Sequence, residues 1–358
     1  MGKWQNCMTR ALKEQGHTTT AWFADDFPKL RSFGRLSVLL FPLALALRLW
    51  KDRASFDVVA VHEPNGFWYG MLRRFSHSLP PMIAVSHGVE SKVFQELLTA
   101  TERGFAELSI ATRLKNPFLR RWQSDGTIKM ADQVLCLSNA DRDYLIDCLG
   151  CSRNRVNVQI NGVEPHYFHT FTNKISNRKV LFVGSWVDRK GRRVLPKIWS
   201  RIRARQPEAR LTAIGTGLSP EIVLPEFDPT DRGSVTVIPL LTEPSKISAQ
   251  LMKHDILLVP SLSEGSPLVV LEAMAGGLPV VAARVGGVPD IINHEEHGLL
   301  FDSMDIDVAA SQVCRLFDDS QLMKRIANNA QERARNLTWT TAATILARVA
   351  QNARELSS

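Results

Sequence analysis

Two glutamates and a histidine are the residues whose setting first suggests chemistry. Glu264 and Glu272 lie in residues 256–277, ILLVPSLSEGSPLVVLEAMAGG. An apolar β-type run ends at Pro260, a small polar loop follows, and a helix is expected to open at Pro267, where a missing N–H costs nothing and Ser266 is placed to cap. Such a helix start falls at the carboxyl edge of a parallel sheet, where free N–H groups favour a phosphate or a polyhydroxylated anion. A spacing of eight, with Glu264 in the loop and Glu272 about a turn and a half into the helix, rules out a side-by-side acid pair. It suits two separate hydroxyl-rich ends of one extended ligand; the structural alternative is a loop acid plus an ordinary helical glutamate. His87 closes another apolar run and precedes Gly88, a setting in which a histidine is more often a structural hydrogen-bonder than a catalyst.

Other motifs point nowhere. Gly215-Thr216-Gly217 is half a dinucleotide fingerprint, with Pro220 where the third glycine belongs. Asp141/Asp143 and Asp305/Asp307 have the D-x-D spacing of metal-dependent transferases but read as acidic helix starts. Cys148 and Cys151 lack a second pair, and His294/His297 have the wrong spacing for a zincin. Asn161-Gly162 reads as a structural tight turn.

The elements that must position these residues alternate short apolar runs with helical periods, the pattern of parallel sheets covered by helices. Strands are expected at 56–61, 82–86, 133–137 and 156–160 in the first half. In the second they fall at 179–184, 210–215, 235–239, 256–260 and 279–282. Two such sets read as two doubly wound α/β domains, 1–175 and 176–336, joined through the polar, aperiodic stretch 168–178. Residues 337–358 carry apolar positions 339, 342, 343, 346, 349, 350 and 353, an amphipathic helix that needs a surface to cover.

The chain's 358 residues, 44% hydrophobic, suffice for full cores and exclude disorder as the main state. Five cysteines at irregular spacing argue for a reducing compartment, and the N-terminus lacks the apolar core of a signal peptide, so a cytoplasmic location is expected. Residues 36–47 form an apolar run of about a dozen, interrupted by Ser37 and Pro42, where a bilayer span needs ~20. The net charge of +8 is uneven: residues 1–176 hold 22 Lys/Arg against 16 Asp/Glu. With Lys29, Arg31, Arg35, Arg48, Lys51 and Arg53 flanking the apolar run, this bias suits attachment to an anionic membrane face, the alternative being a buried helix. The aromatic-interleaved basic stripes of a nucleic-acid binder are not evident, and no nucleic-acid partner is expected.

Residues 261–292 (SLSEGSPLVVLEAMAGGLPVVAARVGGVPDII), followed by 297–301 (HGLLF), resemble the donor-binding signature of family 4 glycosyltransferases, retaining enzymes of the GT-B fold. Family-like pieces also occur in order at 85–88 (VSHG), 131–139 (ADQVLCLSN), 160–164 (INGVE), 183–191 (VGSWVDRKG), 214–217 (IGTG) and 337–339 (LTW), so the resemblance covers residues 2–350. It implies two Rossmann-like domains facing a cleft, with donor in the C-terminal domain, acceptor in the N-terminal one, and a tail helix that returns to the latter. It also implies a nucleoside-diphosphate sugar as co-substrate, with no other cofactor.

By the same resemblance Glu272 matches the acid on the ribose hydroxyls and Glu264 the one facing the donor sugar. The N–H groups at Gly265, Ser266, Leu268 and Val269 would hold sugar hydroxyls and phosphate oxygens. Lys190 matches the lysine on the diphosphate, Gly184 the tight turn beside it, and His87 the active-site histidine facing the donor sugar. One cation, a glycine turn and a helix start can stabilise a leaving diphosphate in place of a divalent ion, so no metal is expected. Many members carry Arg where this chain has Ser185; Arg189 is the candidate for the second positive charge. Members also begin with a buried strand and glycine-rich turn before the helix that here reads 5–15, and that strand is not found in this sequence. The acceptor implied is a glycan or lipid-linked glycan of an envelope or exopolysaccharide. The alternatives are a truncated, non-catalytic nucleotide-sugar-binding protein and a sugar-nucleotide epimerase of the same fold.

Overall fold

The computed structural model describes residues 2–28, 30, 34, 37–76, 78–110, 112, 120–168, 177–241 and 243–356. They form two compact units: Met1–Phe94 with Ser109–Ile160 and Trp339–Ser358, and Gln95–Leu108 with Asn161–Thr338. The region of the expected boundary, 169–176, lies outside the described residues.

In the first unit β1 (Val59–His62), β2 (Met82–Val85), β3 (Gln133–Cys136) and β4 (Val156–Val158) form a parallel sheet in that order. β2 and β3 are buried along their whole length, which explains why their residues are apolar apart from Gln133, whose Oε1 accepts from Asn157 Nδ2 at 2.8 Å: helices cover both faces, so neither face selects polar residues. The Trp339–Glu355 helix lies against the Gly2–Glu14 helix and against β2 and β3, burying Trp339, Ala342, Ala343, Leu346, Val349 and Ala353. Gln15 Nε2 ties the two helices, donating to Thr340 O and Thr344 Oγ1, both at 2.9 Å.

The apolar run becomes the Ser37–Lys51 helix, which packs on the Phe67–Phe75 helix. It buries Leu45, Ala46 and Leu49 and exposes Leu43, Leu47 and Trp50, an i, i+4, i+7 stripe on one face. Core packing and an exposed apolar face thus coexist on one helix. Leu36, Lys29, Arg31 and Arg35 of the expected basic flank lie outside the described residues. Among the described residues no helix is long and apolar enough to cross a membrane.

The second unit holds six parallel strands: β5 (Lys179–Val183), β6 (Arg210–Ile214), β7 (Val235–Ile238), β8 (Ile256–Val259), β9 (Val280–Ala283) and β10 (Leu299–Phe301). Their spatial order is β10-β9-β8-β5-β6-β7, so the chain winds one way from β5 to β7 and the other way from β8 to β10. β5 and β8 are neighbours, and the winding reverses between them, which makes their carboxyl ends a topological switch point. The core includes Val180, Phe182, Trp199, Leu258 and Val313. Segment 95–108 completes it, contributing Ala100 and Ala106 with Phe105 packed alongside, and the Glu107 N–H donates to Asp188 Oδ2 at 2.7 Å.

Candidate active site

The switch point sets the loop after β5 beside the loop after β8. Gly191 makes the approach possible: at φ 88° it lies so close that a Cβ would fall 2.3 Å from Pro260 O. The Leu262 N–H donates to Arg189 O at 2.8 Å, and Arg189 Nη1 donates to Ser263 O at 3.2 Å. Between these links Lys190 Nζ donates to both carboxylate oxygens of Glu264, at 2.6 and 2.9 Å, and Ser261 Oγ donates to Oε1 at 2.7 Å. Glu264 is 5% exposed, so its charge is compensated by a paired cation and a hydroxyl rather than by water. The Glu264 backbone is backed by Gly286, where a Cβ would fall 1.6 Å from Glu264 O, and by the Gly287 N–H on Gly265 O at 2.8 Å.

Lys190, Arg189 and Glu264 are therefore one cluster. Gly184 sits on the same loop, with its N–H on Ile214 O and the Lys190 aliphatic chain alongside. Ser185 is exposed.

The helix after the loop runs Leu268–Ala275 with Pro267 at its N-cap and no side-chain cap, which corrects the capping role expected of Ser266. Pro267 in an extended conformation turns the Ser266 hydroxyl away from the helix, onto Asn161. The Asn161 N–H donates to Ser266 Oγ at 3.1 Å, and Asn161 Nδ2 donates to Ser266 O at 2.8 Å. The helical ladder begins with Val270 and Leu271 donating to Pro267 O, so Leu268 and Val269 carry the N–H groups a helix start leaves to solvent or an anion. Glu272 follows on this helix, 7% exposed. Asn161, Gly191 and Gly286 are site residues that sequence reasoning missed. The asparagine lies in the INGVE stretch that reads as a turn, and the two glycines lie in 183–191 and 261–292, where their sequence setting alone does not reveal the close backbone approach.

In the first unit His87 lies two residues beyond β2. The parallel register pairs His62 with Val85 and so brings His62, which sequence reasoning also missed, beside it. His87 Nε2 is 2.7 Å from His62 Nδ1, and Trp4 meets both rings edge-on, its centroid 5.0 and 5.1 Å away. Burial lowers the His62 pKa to about 4; burial, followed by the His62 charge, lowers that of His87 to about 3, so both imidazoles are neutral near pH 7. The adjacent Glu63 carboxyl accepts from Ser86 Oγ and Ser124 Oγ, each at 2.5 Å, and burial pushes its pKa up to about 7.

The rejected motifs hold structure. Asp141 pairs with Lys92 at 2.9 Å, Asp305 caps its helix through the Val308 N–H, and His294 Nδ1 accepts from the Leu300 N–H. Cys148 and Cys151 are free thiols. Among the described residues no group of three His, Cys, Asp or Glu side chains is arranged to hold a metal ion.

Residues 177–319 match the family described as "Glycosyl transferases group 1", and residues 8–167 match "Glycosyltransferase Family 4". An MMP alpha-(1->4)-mannosyltransferase of Mycolicibacterium hassiacum is 26% identical over 328 residues, 88% of this chain and 72% of that protein. Several other relatives are matched over less than two thirds of their own length. Among solved structures, sucrose-phosphate synthase from Thermosynechococcus elongatus superposes with TM-score 0.70 at 20% identity, covering 88% of this chain and 78% of that one. Anabaena Alr3699/HepE in complex with UDP-glucose gives 0.65 at 19%, covering 85% and 81%. With two parallel α/β units and both halves matched, the chain belongs to the group 1, family 4 glycosyltransferases of the GT-B fold.

Proposed function

We propose that the chain moves a sugar from a nucleoside-diphosphate sugar to an acceptor hydroxyl, with retention at the anomeric carbon and without a metal ion. The observation that carries this reading is the cluster at the second unit's switch point: Lys190 and Arg189 face Glu264 where the Leu268–Ala275 helix begins. Lys190, the N–H groups of Leu268 and Val269, and the positive end of that helix suit the charge that grows on a leaving diphosphate. Arg189, which already reaches Ser263 O and stands 3.9 Å from Glu264, supplies the second cation that Ser185 does not. Glu272 takes the ribose hydroxyls, Glu264 and His87 the donor sugar, and the N–H groups of Gly265 and Ser266 its hydroxyls. The complex of HepE with UDP-glucose supports a donor of this chemical class.

Screening UDP-, GDP- and ADP-sugars for thermal protection tests the reading, since a ligand at 100 times its dissociation constant stabilises by ~2.7 kcal/mol. One class should protect and then turn over in EDTA with the anomeric configuration kept. Protection by none, or turnover that needs added manganese or magnesium, would overturn it.

The acceptor we assign is a glycan or lipid-linked glycan of an envelope or exopolysaccharide, met at the cytoplasmic face of an anionic membrane. The exposed Leu43, Leu47 and Trp50 stripe, with Arg53 stacked over Trp50 at 5.5 Å and Lys51 exposed, supports this. Sedimentation with anionic but not neutral vesicles, reversed by salt, is the expected result; recovery in the supernatant with both would remove the membrane and the lipid-linked acceptor.

A further inference from the structure

The rings of His62 and His87 are nearly parallel, 16° apart, with centroids 4.7 Å apart. A nitrogen–nitrogen distance of 2.7 Å is too short for rings lying face to face, where atoms stay at about 3.5 Å or more. The two imidazoles therefore meet edge to edge in a common plane, joined by an N–H···N hydrogen bond. A neutral imidazole has one donor and one acceptor nitrogen, so the bond needs one proton between the rings, and whichever nitrogen carries it decides the far nitrogen of each ring. The buried Trp4 stands perpendicular to both half-buried rings, and their partial desolvation opposes a second proton on the pair.

We propose that His62 is a positioning residue that fixes the tautomer and ring orientation of His87, so that His87 offers the substrate one defined hydrogen-bonding group. This deepens, and rests on, the reading that His87 faces the donor sugar. A sugar hydroxyl both donates and accepts, so a histidine that samples two tautomers also samples two hydroxyl orientations. A locked one holds the reacting sugar in a single pose. The signal comes from the sheet rather than from either motif: only the β1–β2 register sets the end of VAVH beside SHG.

The test combines nitrogen NMR of the imidazoles with kinetics. In the wild type both rings should show one neutral tautomer each; averaging between tautomers would overturn the proposal without any variant. His62→Leu should mix the His87 tautomers and lower kcat about tenfold, the worth of one well-made hydrogen bond, with nucleoside-diphosphate affinity unchanged. His62→Asn, which keeps a polar atom near the Nδ1 position, should restore most of kcat. Slow turnover by His87→Ala combined with fast turnover by His62→Leu would overturn the role of His62 alone. Full turnover by His87→Ala would overturn the reading of His87 itself.

Discussion

Lys190 Nζ sits 2.6 and 2.9 Å from the two carboxylate oxygens of Glu264, so the cation proposed for the diphosphate is already held by the acid proposed for the sugar. The two side chains are 21% and 5% exposed. Removing one partner leaves the other as a buried, uncompensated charge, which costs about 3–5 kcal/mol. Lys190→Met should therefore destabilise the second unit and weaken a nucleoside diphosphate far more than the nucleoside. Adding Glu264→Gln should recover the melting temperature but not the diphosphate affinity. Equal losses for nucleoside and diphosphate would take Lys190 out of the phosphate site.

Glu272 is 7% exposed on the helix whose first turn follows the cluster. Two charge-assisted hydrogen bonds to vicinal ribose hydroxyls imply that Glu272→Ala loses ~2–4 kcal/mol of nucleotide binding. Calorimetric titration with the protecting nucleotide measures this; unchanged affinity in a folded variant removes the ribose role.

Gly286 supports the site through its backbone. A Cβ there would meet Glu264 O at 1.6 Å, and its φ of 51° disfavours any side chain. Gly286→Ala must displace the Glu264 loop and should abolish donor protection along with several degrees of melting temperature. Gly233→Ala, where a Cβ meets nothing within 4 Å, is the control and should change little. Donor protection retained by Gly286→Ala would show that the loop is not held from behind.

The strands were legible because parallel strands covered on both faces need largely apolar runs, and 82–86, 133–137 and 256–260 are such runs, with a polar residue only at an end in Ser86 and Gln133. β10 was hidden because its three residues, Leu299–Phe301, are too short to show a period. Segment 95–108 was illegible for another reason: Ala100 and Phe105 find their core among residues from Val180 onward, far along the chain, and no local pattern reports that. Asn161 was hidden in the same way, its partner Ser266 lying 105 positions on; His62 and Gly286 meet His87 and Glu264 over shorter stretches, but through strand register and loop packing that no local period reports. The roles proposed for Glu264, Lys190 and Glu272 came only through motif resemblance, since the spacing of the two glutamates alone favoured a plain loop acid and a plain helical acid. Ser266 was misread because local rules favour a cap, whereas the long-range bond to Asn161 takes its hydroxyl.

Glu63 makes a pH signature that can be read without substrate. Burial raises its carboxyl from 4.5 to about 7, with Ser86 and Ser124 hydrogen-bonded to it. Between about pH 4.5 and 7 the folded chain keeps a proton that the unfolded chain has released, so this group's stabilisation declines as pH rises, by about 1.4 kcal/mol per unit, and is lost above 7. His62 and His87 act in the opposite sense: their folded pKa values are depressed from 6.5 to about 4 and about 3, so acidification below 6.5 protonates the unfolded chain first and costs stability. From pH 6.5 down to 4.5 two histidines outweigh one glutamate, and the first unit should lose stability on acidification. Glu63→Gln removes the opposing contribution, so its loss over that range should be steeper than the wild type's by about 1.4 kcal/mol per pH unit. Denaturant melts followed by a probe in the first unit, across pH 4.5–7, measure the difference; parallel curves for the two proteins would mean that Glu63 is ionised in the folded chain.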